Sequence, residues 1–181
     1  MGQIIVSMYL SLDGVIQEPA STAPYYKQEE EKYQSDLLFE SEALLLGRVT
    51  YQGFAAAWPS MTDEEGFADK MNSMPKFVAS TTLEKTEWNA NLIKGNIVEE
   101  ISKLKEQPGQ NLLIYGSGEL IQTLMQHDLI DEYHFMVNPV IVGSGKHLFK
   151  TGNDTKALKL IETRTTSSGV VILSYQPEKK E

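Results

Sequence analysis

An α/β fold, with helices on both faces of a mostly parallel sheet and an antiparallel hairpin closing one edge, follows from three features of the sequence. Strand-like apolar runs alternate with segments of helical periodicity as far as residue 130. One of these runs, ALLLG at 43–47, is continuously apolar, as suits a strand covered on both faces. After residue 130, three strand-like stretches follow one another with no helical segment between them.

The elements follow in order. IIVSMYL at 4–10 is rich in β-branched and aromatic residues and is stopped by Asp13-Gly14, which predicts a strand and a turn. PYYKQEEEKYQSDLLFE, from Pro24, predicts the first helix: proline is tolerated in a first turn, and Tyr26, Tyr33 and Leu37 recur near the helical period. The strand at 43–47 runs into a helical segment that reaches Trp58-Pro59. TDEE at 62–65 fits a capping box opening a short helix to about Met71. KFVAS at 76–80 reads as a strand, and TEWNA at 86–90 as another. Asn96 caps a helix with Ile97, Ile101 and Leu104 on one face, ended by Pro108-Gly109. Residues 111–130 repeat the strand, glycine turn and helix. Strands are predicted within 131–143, 157–166 and 169–177, with Ser167-Ser168-Gly169 as the hairpin turn between the last two.

A chain of 181 residues, 41% of them hydrophobic, suits one domain, taken as 1–176 with a frayed tail at 177–181. The net charge of −9 sets the average surface against nucleic acid and anionic membranes, so a phosphate-bearing ligand needs a local arrangement of groups. With no cysteine there is no disulfide framework, thiolate zinc site or cysteine nucleophile. Neither a secretory signal nor a membrane-length apolar run is present, and a cytoplasmic protein is expected. His127, His134 and His147 have no ligand spacing and no accompanying acidic cluster, so no metal is expected. No G-x-S-x-G elbow supports Ser117 or Ser144 as a nucleophile.

The groups that carry chemistry lie where strands end. In LLLGRVTYQGF, Gly47, Arg48 and Thr50 read either as a tight turn, a solvated arginine and an N-cap, or as an anion site at a helix N-terminus. Ser80, Thr81 and Thr82 follow the next strand, either as turn hydroxyls or as ligand groups at a carboxyl edge. YGSGELI has two glycines of the dinucleotide fingerprint but Ile121 at the third position. Gly116 and Gly118 nonetheless allow close backbone approach, with the amides of Ser117, Gly118, Glu119 and Leu120 at a helix N-terminus. Three such strand ends on one sheet edge favour an extended phosphate ligand such as a dinucleotide. GSGK at 143–146 fits an anion nest or a loop equally well. For acid-base work, Glu29, Glu30 and Glu31 read as a solvated run, except that Glu30 falls on the face of Tyr26, Tyr33 and Leu37. Asp13 is a second candidate, at the end of the first strand, or an ordinary turn aspartate.

The succession SLDG, LLLGRVTY, FVAST, LLIYGSGELIQTLM, LIDEYHFMVNPVIVGSG and a terminal hairpin resembles the dihydrofolate reductase-like superfamily. It is most similar to the reductase domain of the bacterial bifunctional riboflavin-biosynthesis deaminase/reductase and its stand-alone relatives. The resemblance covers nearly the whole chain and implies NADPH as cofactor. It implies that Gly47, Arg48 and Thr50 hold cofactor phosphates, with Arg48 near the adenosine 2'-phosphate and Thr50 near the pyrophosphate. Ser80 and Thr81 match the adenosine-phosphate loop, and Gly116 to Leu120 the turn beside the pyrophosphate and nicotinamide. No basic residue follows Ser80, where some relatives have arginine. Folate enzymes place a pterin-binding carboxylate on the first helix; an ungapped count back from Arg48 lands on Glu31, whereas periodicity selects Glu30.

These residues imply a reductase that transfers hydride from NADPH to a heterocyclic or ribosylaminopyrimidine substrate, resembling 5-amino-6-(5-phosphoribosylamino)uracil reductase, with Asp13 and Glu30 or Glu31 facing the substrate. The competing readings are a nucleotide-binding module without turnover and a dihydrofolate or pteridine reductase. A homodimer is expected from the riboflavin-pathway relatives.

Overall fold

The computed structural model describes residues 2–16, 23–152 and 154–179. In chain order its elements are β1 (Ile4–Leu10), α1 (Gln28–Phe39), β2 (Ala43–Gly47), α2 (Arg48–Ala57), α3 (Phe67–Ser73), β3 (Lys76–Ala79) and β4 (Ala90–Ile93). They continue with α4 (Ile97–Glu106), β5 (Leu112–Ile114), α5 (Gly118–Gln126), β6 (Glu132–Val137), β7 (Leu158–Thr165) and β8 (Val171–Pro177). Short 3₁₀ turns occupy Ala23–Tyr25 and Trp58–Ser60.

The strands form one sheet in the order β4-β3-β2-β5-β1-β6-β8-β7. Pairing is parallel from β4 to β6 and antiparallel from β6 through β8 to β7. Alternation along each strand sorts side chains onto two faces. Ile4, Val6, Leu45, Leu112 and Ile114 pack with Ile101 of α4 and Leu120, Ile121 and Leu124 of α5. Ile5, Leu44, Leu46 and Leu113 face the other way, against Tyr33, Leu37 and Leu38 of α1, Tyr51 of α2 and Met71 of α3. Every residue of β2 and β5 is buried, as their unbroken apolar sequences require. Burial of two such faces is the main favourable term holding the three layers together.

Four local expectations are corrected. The first helix proper begins at Gln28, after the 3₁₀ turn that contains Pro24. Thr62 does not cap the short helix: α3 starts after Gly66, which takes a left-handed φ of 84°, and Asp63 accepts from the Gly66 and Ala68 amides at 2.8 and 3.1 Å. The strand expected at 86–90 lies at β4, because Trp88 and Asn89 take left-handed φ values of 58° and 55° that make a turn. At the C-terminus, β8 extends through Pro177 and the Glu178 amide donates to Ala157 O at 3.0 Å, while residues 180–181 of the expected tail lie outside the described residues. The remaining strands, the Asn96 cap and the turn at 167–169 stand where the sequence puts them. No described helix is long and apolar enough to cross a membrane.

Candidate active site

Parallel pairing aligns the carboxyl ends of β2, β3 and β5, so residues far apart in sequence meet along one edge. A cleft of about 1040 Å³ lies over it. Gly47 and Arg48 enter from the start of α2, and Ser80 and Thr81 from the loop after β3. Ser117, Gly118, Glu119 and Leu120 line it from the first turn of α5. Two helix N-termini therefore open on one cavity. Gly47 gives α2 no side-chain cap, which leaves first-turn amides available to an anion. In α5 the Ser117 hydroxyl accepts from the Leu120 amide at 3.3 Å. The Ser80 hydroxyl accepts from the Thr82 and Leu83 amides and shapes the neighbouring turn. Arg48 is exposed at the rim and donates to Gln52 Oε1 at 3.2 Å, a contact that an arriving phosphate can replace.

The glycines serve the close fit of the two turns. A Cβ on Gly47 would stand 2.3 Å from Ser117 Oγ and 2.9 Å from its backbone nitrogen. One on Gly116 would stand 2.6 Å from Thr50 Oγ1. Gly47 donates its amide to Gly116 O at 3.1 Å, so the bare backbone at both positions locks the β2 and β5 turns together. Gly116 thus packs against Thr50 and is not part of the cleft wall, and Thr50 borders a second cavity. Thr50 also lies inside α2, so the N-cap reading fails.

That second cavity, about 720 Å³, lies on the α1, α2 and α3 side of the sheet. Its walls include Tyr26, Phe54, Trp58 and Phe67 together with Tyr9 and Tyr115. Tyr9 and Tyr26 meet edge-to-face with ring centres 5.6 Å apart. Ile16 and Val49 line both cavities, so the two adjoin. Burial pushes the phenols of Tyr9 and Tyr115 well above their ordinary value, keeping both protonated at neutral pH.

The three consecutive glutamates of α1 separate by contact. Glu29 accepts from the Ser167 hydroxyl at 2.6 Å and the Ser167 amide at 3.0 Å. Glu31 is exposed. Glu30 is 1% exposed, accepts from Thr166 Oγ1 at 2.6 Å and from the Lys27 amide at 3.1 Å, and lines the aromatic pocket. The helical period, rather than the ungapped count to Glu31, thus identifies the carboxyl group at the pocket. Asp13 lies in neither cavity wall. The Ser11 hydroxyl, then the Gly143 and Val142 amides, hold its carboxyl down at about 2, so it is a turn-holding group and a poor proton donor.

Sequence reasoning left out part of both cavities. Lys146, His147 and Lys150 line the cleft from the loop after β6. The Ile16 amide donates to Lys146 O, and Leu148 to Gly14 O, which fastens this loop to the segment after β1. GSGK was legible as a possible anion nest; its pairing with residues 14–16 was not. Gln34 lines the aromatic pocket one turn after Glu30, and its Oε1 accepts from Ser7 Oγ at 2.9 Å. No group of three or more His, Asp or Glu among the described residues is placed to hold a metal ion.

The mostly parallel sheet with its terminal antiparallel hairpin, carrying clefts at the carboxyl ends of the strands, is a dihydrofolate reductase-like fold. The chain matches the RibD C-terminal domain family over residues 3–172 and belongs to that family. It is 32% identical over 176 residues to the Bacillus subtilis protein YyaP, covering 96% of this chain and 94% of that protein. A riboflavin biosynthesis protein from Shewanella sp. PV-4 superposes with a TM-score of 0.79 at 22% identity, over 98% of this chain and 99% of that one. Dihydrofolate reductase from Enterococcus faecalis, in a complex with NADP(H), superposes with a TM-score of 0.70 at 14% identity, over 98% of both chains. At these identities the two structures establish a common fold.

Proposed function

We propose that the chain is an NADPH-dependent reductase of the riboflavin-pathway type, acting on a small heterocycle. The observation that carries this reading is the junction of two unlike cavities. One is lined by hydroxyls and cations over two helix N-termini, the other by aromatic rings around one buried carboxyl group, and they share Ile16 and Val49. The first suits an extended dinucleotide: first-turn amides of α2 at Arg48 and Val49 and of α5 at Gly118 and Glu119 match a pyrophosphate, and Arg48, Ser80 and Thr81 match a further phosphate. Bound there, NADPH would supply the hydride. The protein's own contribution is to orient two reactants across the shared wall, to exclude water with the aromatic rings, and to fix one edge of the substrate at Glu30. Pteridine reduction is a second reading, favoured by the burial of Glu30 among Tyr26, Phe54 and Trp58.

Calorimetric titration with NADPH and NADH at one fixed salt concentration tests the cofactor assignment. NADPH is expected to bind more tightly, and Arg48→Ala to weaken it by roughly 1.5–3 kcal/mol, the size of a charge-assisted contact. Absence of binding to either nucleotide overturns the reductase reading.

A further inference from the structure

The cleft differs at its two ends. Its walls come from the segments after β3, β2, β5, β1 and β6, which are consecutive in the sheet. At about 4.8 Å per strand, the edge beneath it is about 19 Å long. Arg48, Ser80 and Thr81 stand at the β3–β2 end. Ile16, which also walls the aromatic pocket, stands toward the other end, and its amide donates to Lys146 O at 2.8 Å. A nucleotide with its reactive ring at this shared wall places its adenosine half toward Arg48 and its nicotinamide half toward the loop after β6.

That loop brings Lys146 and Lys150 into the cleft. Glu119, in the first turn of α5, is the one acidic residue among its described walls. A pyrophosphate at this turn is repelled by the carboxylate unless cations stand on the same side. Arg48 enters from α2, beyond β5, so at the β1–β6 end the compensating charge comes from the two lysines. The loop is also fastened within the chain itself. The Leu12 amide donates to Val140 O at 2.8 Å and the Leu148 amide to Gly14 O at 3.0 Å, and His147 bridges to Val15. The Asp13 carboxylate accepts from the Gly143 and Val142 amides at 2.9 and 3.1 Å. Backbone pairing therefore meets the ordering cost of the loop, and a ligand phosphate keeps most of the attraction that the lysines offer.

We propose that Lys146 and Lys150 hold the nicotinamide-side phosphate of the dinucleotide, so that its pyrophosphate is gripped from both sides of the cleft while Arg48 serves the adenosine half. This deepens the reductase reading and rests on it for the identity of the ligand. The two lysines then raise affinity for NADPH and NADH alike, and the choice between the two nucleotides is left to the Arg48 end.

The test is calorimetry on the full chain at one fixed salt concentration. The probes are NADPH, NADH and adenosine 2',5'-bisphosphate, which lacks the nicotinamide half. Both lysines are exposed, so the double variant Lys146→Met with Lys150→Met should fold like the parent protein, and its urea midpoint checks this. It is expected to weaken NADPH and NADH by the same factor, at least tenfold, and to change the bisphosphate less than twofold. Arginine at both positions should keep NADPH affinity within threefold of the parent. Arg48→Ala should show the reverse pattern, weakening NADPH and the bisphosphate more than NADH. A loss confined to NADPH would assign the lysines to the 2'-phosphate and overturn the proposal. An equal loss of the bisphosphate would reduce them to a diffuse field and overturn it too. Nucleotide binding that the double variant leaves intact overturns this proposal alone, whereas a parent protein that binds neither NADPH nor NADH overturns the reductase reading with it.

Discussion

Asp13 accepts from the Ser11 hydroxyl at 2.5 Å and from the Gly143 and Val142 amides at 2.9 and 3.1 Å, and these contacts lower its pKa from 3.8 to about 2. Its proton is therefore bound more weakly in the folded chain than in the unfolded one. The resulting stabilisation is fully present above about pH 4 and disappears as the pH falls through 2. Asp13→Ala is expected to lower the urea midpoint at pH 7, with the gap to the parent protein closing between pH 4 and 2. A gap that stays constant down to pH 2 would remove the carboxylate from this role. The same turn bears on the site, because Val15 donates to Ser11 Oγ and Ile16, next along the chain, walls both cavities. At this scale the sequence narrowed the carboxyl groups to a few candidates. The helical period pointed to Glu30 and the ungapped count to Glu31, and the sequence did not decide between them, because the contacts that fix Glu29 and Glu30 are made only in the fold. Their partners, Ser167 and Thr166, come from a hairpin more than a hundred residues away.

Two helices with the same kind of cap separate stability from binding. Asn96 accepts from the Glu99 amide at 3.2 Å at the start of α4, and Ser117 accepts from the Leu120 amide at 3.3 Å at the start of α5. Replacing either by alanine should cost roughly 0.5–2 kcal/mol of folding stability, the usual value of an N-cap. Only Ser117 lines the cleft. Asn96→Ala is therefore expected to lower the urea midpoint and leave the NADPH dissociation constant unchanged, whereas Ser117→Ala should raise that constant as well. Equal effects of both variants on nucleotide affinity would remove Ser117 from the binding surface. Elements buried on both faces were the legible ones: β2 and β5 are unbroken apolar runs, and the α4 cap is a single asparagine before a periodic stretch. The edge was less legible. Trp88 and Thr86 have strand-forming side chains, yet position 88 belongs to a turn, and β4 is built from the mixed sequence ANLI because pairing with β3 overrides propensity. Of the aromatic pocket only the α1 wall, Glu30 beside Tyr26, was legible, since the other walls come from β1, α2, α3 and the end of β5, which only the sheet order brings together.

Over the whole molecule, a net charge of −9 repels phosphate at long range, while Arg48, Lys146 and Lys150 gather at one cleft. Phosphate affinity must then arise at short range, from groups that the fold assembles and the unfolded chain scatters. A nucleotide held in this way binds the native state alone and shifts its stability by mass action. At a hundred times its dissociation constant, NADPH should add about 2.7 kcal/mol. For a domain of this size that corresponds to a rise in Tm of roughly 5–10 °C. Thermal denaturation at constant ionic strength measures it. Arg48→Ala should need a proportionally higher nucleotide concentration for the same shift, because it changes affinity and leaves the relation between occupancy and stability intact. A Tm unmoved by NADPH at millimolar concentration would mean that the assembled cations do not hold the nucleotide. A rise equal in Arg48→Ala and the parent protein at every concentration would move the phosphate contact to the lysines of the loop after β6.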